Sequence, residues 1–132
     1  MKKTNFINIK SFLTKAIFEF NEEKDEGTLR INIIDKINIL SITSDVIEFD
    51  AIREFNLGET SKSKLLVSNR CILYVKEEID KETLINNIRK GLDLIHEVYA
   101  DLSLTISNLT NNSPFMVMVT PPNYDKNKII IE

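Results

Sequence analysis

Two residue types suited to nucleophilic or acid–base work occur once each, His96 and Cys71. A histidine acting as general base needs a nucleophile in reach and a second group to orient its ring. The acid beside it in sequence is Glu97, and neighbours on a helix point about 100° apart, so Glu97 does not orient it. Cys71 falls between Val67 and Leu73 in an alternating apolar register, the setting of a small buried hydrophobe. A lone thiol forms no internal disulfide and offers no metal-ligand spacing. Gly27, Gly58 and Gly91 are scattered, which excludes a glycine-rich phosphate loop. The acids are spaced as solvated strand faces and loops, not as a catalytic pair or an oxygen-ligand loop. These residues point away from an enzyme and imply no cofactor and no metal.

What remains is binding, and the stretch Leu94–Asp125 is where the chain is suited to it. Ile95, Val98, Tyr99, Leu102, Ile106 and Leu109 recur at offsets of three and four, the mark of a helix with one core-facing stripe. Ala100, Ser103, Leu104 and Ser107 take the opposite face, which is small and apolar instead of charged. A helix oily on both flanks predicts a second copy against that face. Pro114 ends the helix pattern. The run Phe115-Met116-Val117-Met118-Val119 and Tyr124 follow; two thioethers make such a surface adaptable. Phe115, Met116, Val117, Met118 and Tyr124 are therefore candidate walls of an apolar groove and would equally well close this domain's own core; Leu94, Val98 and Leu102 read first as core, of which the groove's inner wall would be part.

The elements that must position this stretch come first in the chain. Phe6 to Phe20 alternates in two halves, with a bulge or bend expected over Ser11–Lys15. Leu29–Ile42 places Ile31, Ile33, Ile37 and Ile39 on one face. Val46–Leu57 does the same with Ile47, Phe49, Ala51, Phe55 and Leu57, leaving Glu48, Asp50, Glu54 and Asn56 on the other. Lys64–Lys76 aligns Leu65, Val67, Cys71, Leu73 and Val75. Short links predict an antiparallel meander with one covered face. Asp80 is a helix cap ahead of Leu84, Ile85, Ile88 and Leu92, and Gly91 breaks that helix before the long one starts near Asp93. Lys126–Glu132 reads as a short strand or a disordered end. The expected class is α+β, a four-stranded antiparallel sheet with helices on one face. It forms a single domain over 1–132: sheet 5–76, helices 80–112, then the apolar and proline segment and tail 113–132.

The totals narrow the partners. At 132 residues, with 42% hydrophobic and 28% charged residues, the chain suits one globular domain. Twenty isoleucines favour strands. A net charge of −3 and a pI near 5.3 argue against nucleic acid. No run reaches the roughly 18–20 apolar residues of a membrane span, and Asn5, Asn8 and Lys10 interrupt any leader-like run, so membrane insertion is not expected and the cytoplasm is the expected compartment.

Tyr99-Ala100, the apolar helix, Pro114 beside Phe115, and then Pro121, Asn123, Tyr124 and Asp125 resemble the end of the SecB export chaperones. There, Tyr-Ala-Arg is followed by a helix, Gly-x-Phe-Pro, an apolar run and Pro-Val-Asn-Phe-Asp. Asp45-Val46-x-Glu48 and Leu57-Gly58-Glu59 are similar to that family's third-strand opening and following turn. The likeness runs with gaps from Phe6 to Asp125, with the Phe-Pro order reversed and one extra helix residue. It implies an ATP-independent holdase whose long helix is sandwiched in a tetramer, and whose clients lie in apolar grooves as unfolded polypeptides. Family members meet the ATPase SecA through acids on the open sheet face. Glu19 falls on one such position, but the fourth-strand equivalent is Leu66, which argues against SecA docking, and the family's second helix and acidic zinc-seeking tail have no counterpart. A dedicated client, such as the antitoxin of a toxin–antitoxin–chaperone system, fits as well as general export. The alternative is an acidic interaction module of the immunity or inhibitor type, binding one folded partner.

Overall fold

A computed structural model describes residues 5–19, 31–57, 64–111 and 119–132. The strands are β1 (Phe6–Glu19), β2 (Ile31–Ile42), β3 (Val46–Leu57), β4 (Lys64–Val75) and the two-residue β5 (Ile130–Ile131). Two helices, α1 (Lys81–Lys90) and α2 (Asp93–Asn111), lie between β4 and β5 in the chain. β2 reverses into β3 at Thr43-Ser44-Asp45, where the Thr43 backbone N–H and hydroxyl both donate to the Val46 carbonyl (2.9 Å each).

The sheet runs β1-β4-β3-β2-β5, which corrects the expected four-stranded antiparallel sheet: it has five strands and is mixed. β2, β3 and β4 form the anticipated antiparallel meander. β5 joins the far side of β2 in parallel, Ile37 opposite Ile131. A parallel neighbour needs a long crossover, and here everything from β3 through α2 serves as one. β1 does not sit beside β2 either; it pairs antiparallel with β4 at the opposite edge. The eleven residues 20–30 between β1 and β2 are too many for a tight hairpin. The β1 register slips between Leu13 and Lys15, where a bulge is expected, and the Thr14 hydroxyl there donates to the Ser68 carbonyl (3.1 Å).

One sheet face carries the core. Ile37, Ile47, Phe49, Ala51, Phe55, Leu65, Val67, Cys71 and Leu73 are at most 1% exposed, and they pack with Leu84 and Ile88 of α1 and Ile95, Val98, Tyr99, Leu102 and Ile106 of α2. The helices stay where they are because their ends are defined. The Asp80 carboxylate accepts from the Thr83 N–H (2.7 Å). Gly91 takes φ of +99°, a left-handed backbone that glycine adopts without a Cβ penalty, and this lets α2 leave α1 at once. No helix among the described residues is long and apolar enough to cross a membrane.

Candidate functional site

Among the described residues, the covered face contains one buried ion pair. Arg53 of β3 is opposite Asp35 of β2 in register, and their side chains are 1% and 8% exposed. Arg53 Nε and Nη2 donate to the two Asp35 carboxylate oxygens at 2.8 and 2.9 Å, the two-pronged geometry that makes such pairs strong. Its remaining donors go to the segment after α2: Thr120 Oγ1 (3.1 Å), the Pro121 carbonyl and the Asn123 carbonyl (3.3 Å). The guanidinium also lies 5.3 Å from the Tyr99 ring centre. Thr120 is bonded in turn to Ser103, donating to its hydroxyl (2.9 Å) and accepting on its carbonyl from that hydroxyl (2.8 Å). One buried cation thus ties sheet, helix and post-helix segment together.

Tyr124 fixes the next part of the chain. Its hydroxyl accepts from the Leu92 N–H and donates to the Ile88 carbonyl, both at 2.7 Å, so it bridges the α1–α2 junction. Burial pushes both Tyr124 and, more strongly, Tyr99 above the usual phenol range. Both are therefore neutral donors at working pH; Tyr99 donates to the Lys36 carbonyl (2.7 Å). His96 stacks on Tyr124, ring centres 4.1 Å apart and planes within 17°. The His96 Nδ1 atom is buried and has no hydrogen-bond partner among the described residues.

Tyr124 is also the wall between two surface cavities. The larger, about 700 Å³, runs along the edge of β2 and is lined by Ile33, Ile34, Pro121, Tyr124, Ile129 and Ile130, with Asn32, Asp35, Arg53, Asn123, Asp125 and Lys128 also bordering it. The smaller, about 420 Å³, lies over the α1–α2 junction beside Lys90, Asp93, His96 and Lys126. Beside the larger groove, β2 is a partly uncovered edge. The Ile37 carbonyl accepts from Glu132 N–H, and Ile39 N–H donates to the Glu132 carbonyl, both at 2.8 Å. Since strand backbone directions alternate with period two, Ile33 and Asp35 present their backbone groups toward the same side, on the part of the edge nearer the start of the strand. An aliphatic trough next to a strand edge can take apolar side chains and main chain of an extended polypeptide.

The structure scatters the residues expected to line a client groove. Tyr124 lines both cavities, Leu94 is half-buried at the core's margin, and Val98 and Leu102 are at most 1% exposed, inside the subunit's own core. Phe115, Met116, Val117 and Met118 lie outside the described residues, as does Pro114. Of the residues expected at an oligomer interface, Ala100 and Leu104 are exposed, Leu104 at 62%, and Ser107 is half-buried. Ser103 is 8% exposed and belongs to the Thr120 cluster inside the subunit. Glu19 is exposed at the end of edge strand β1, across from Lys64. Leu66 stands between Ile17 and Glu54 on the open face.

Burial pushes the Cys71 thiol up to about 12, so it is a packed side chain and not a thiolate. Arg53 and Asp35 are the residues that pattern-reading passed over, though alternation puts both on the apolar faces of their strands. Among the described residues no cluster of three or more His, Cys, Asp or Glu could hold a metal ion. The chain matches no protein-family model, and no curated protein is significantly similar to it.

Proposed function

We propose that the chain is an ATP-independent holdase of the SecB kind, acting in the cytoplasm as a homodimer or homotetramer. It would shield apolar segments of non-native polypeptides, either for export or for one dedicated client such as an antitoxin. The observation that carries this reading is the trough along β2, where Ile33, Ile34, Ile129, Ile130 and Tyr124 border a strand edge that β5 covers only in part. The driving force is removal of client side chains from water, about 25 cal/mol per Å² of apolar area before ordering costs. Main-chain bonding at a strand edge is indifferent to client sequence, which suits a protein meeting many chains or a flexible one. The exposed Ala100 and Leu104 on α2 support association of subunits through that face.

An acidic interaction module draws less support. Two of the three acids on the open face of β3 are matched within the sheet, Asp50 by Arg70 (2.6 Å) and Glu54 by Lys36 (3.8 Å). The deciding measurement is light scattering from an aggregating, chemically unfolded test protein, alongside the mass of the chain in solution. A dimer or tetramer that delays aggregation at near-stoichiometric ratio supports the holdase. A monomer without effect on aggregation rejects it.

A further inference from the structure

The trough along β2 stops where β5 starts, and β5 has the chemistry the trough would select: consecutive isoleucines in extended backbone, laid parallel on the strand edge. We propose that Ile130–Glu132 is a displaceable strap, holding in cis part of the β2 edge that an extended apolar polypeptide takes when it binds. This rests on the holdase reading and assigns its regulation.

The segment is rooted at Ile129, and within it Ile131 packs half-buried against the core. Ile129 is 2% exposed; its N–H donates to the Asp125 carbonyl (2.9 Å), and its own carbonyl accepts from Arg89 Nη1 (2.7 Å). Beyond that root, Ile130 is 41% exposed, and the backbone bonds of Glu132 to Ile37 and Ile39 hold the segment to β2. Two residues make a short strand where five or six are usual. An incoming strand of about that length would reach Ile33 and Asp35 as well as the stretch under the strap. It therefore gains more ladder than the strap loses, and a short or polar segment does not. The strap sets a threshold of length and apolarity for binding.

Lys36 and Ile130 are register partners on adjacent strands, a spacing of about 4.8 Å that a disulfide can span. In the double variant Lys36→Cys/Ile130→Cys, oxidation locks the strap and reduction frees it in the same folded molecule, while buried Cys71 stays out of the exchange. The probe is a fluorescein-labelled dodecapeptide of alternating isoleucine and threonine with a lysine at each end, followed by anisotropy. The expected result is binding at least ten-fold weaker in the oxidised form than in the reduced form. In the wild-type chain the peptide should also speed amide exchange at Glu132 while Ile39 stays protected. Equal binding by oxidised and reduced forms overturns the strap and leaves the holdase reading standing. Absence of binding in wild type and in both redox forms, with no delay of aggregation, overturns the two together.

Discussion

Arg53→Met is the sharpest perturbation the fold offers. It leaves the Asp35 carboxylate, 8% exposed, without its counter-ion, and takes donors from Thr120 Oγ1 and from the Pro121 and Asn123 carbonyls. Removing one partner of a buried pair costs about 3–5 kcal/mol, a large share of the roughly 5–15 kcal/mol that holds a domain together. Asp35→Asn should cost less, about 1.5–3 kcal/mol, because the amide oxygen still accepts and Arg53 keeps its contacts to the post-helix segment. The double variant Arg53→Met/Asp35→Leu removes both charges but still leaves the Pro121 and Asn123 carbonyls short of a donor. Its loss should fall below the sum of Arg53→Met and Asp35→Leu measured singly by at least about 1 kcal/mol. Urea unfolding followed by circular dichroism measures all of these. With a slope of about 1.5 kcal/mol/M, Arg53→Met should lower the midpoint by about 2–3 M. A loss under about 1 kcal/mol, or strict additivity of the single changes, would refute the claim that this guanidinium ties the three elements together.

Leu104→Asp alters a side chain 62% exposed in the single subunit, so subunit stability should move by no more than about 0.5 kcal/mol while the mass in solution falls to that of a monomer; an unchanged mass rejects α2 as an interface. Tyr124→Phe deprives Leu92 N–H of its acceptor and should cost about 1–2 kcal/mol, with faster exchange of the Leu92 amide as the local signature. Cys71 should resist an aromatic disulfide reagent at pH 8 until the protein is unfolded, since its thiol titrates only at about 12; prompt labelling of the native protein would contradict its packing. Hydrogen bonds from Thr83 hold the Asp80 carboxyl below its ordinary value. The cap therefore contributes fully above the unfolded-state value of about 3.9 and is lost as pH falls through the lower folded-state value. Asp80→Ala should flatten the acid limb of a stability–pH curve, and an unchanged limb removes the cap from the account.

Local chemistry was the most legible part of this chain. Asp80 and Gly91 bound α1 because a capping carboxylate and a residue free to take positive φ leave marks in sequence. The alternation in β3 and β4 separates core from open face nearly residue for residue, whereas in β2 Ile37 is buried, Ile39 is half-buried and Ile33 is 39% exposed. Pairing was less legible, since neighbours in a sheet are chosen by crossovers that no short window contains. β1 and β5 were misplaced or left open for that reason. Arg53 and Asp35 went unnoticed because hydropathy reads each as an interruption, although their positions in register make them a pair. Ser103 follows Tyr99 by four residues and precedes Thr110 by seven, on the buried stripe, but its size assigned it to the other face. Leu109, counted in the stripe, is 36% exposed. Of the candidate site, Tyr124 was visible from its motif, and the trough was not, since it exists only where β2, β5 and the post-helix segment meet.

The seating of β1 beside β4 has a consequence for how the molecule is born. The strands from Ile31 to Val75 are joined by links of only three and six residues, and such short loops close fast because little chain entropy is lost in each. Phe6–Glu19 leaves the ribosome before any of it, yet its only described strand neighbour is made last of the four. Phe6–Glu19, bearing Phe12 and Leu13, is thus made some fifty residues ahead of the strand it pairs with. During that interval the backbone of Phe12 and Leu13 lacks the β4 ladder that completes it in the folded sheet.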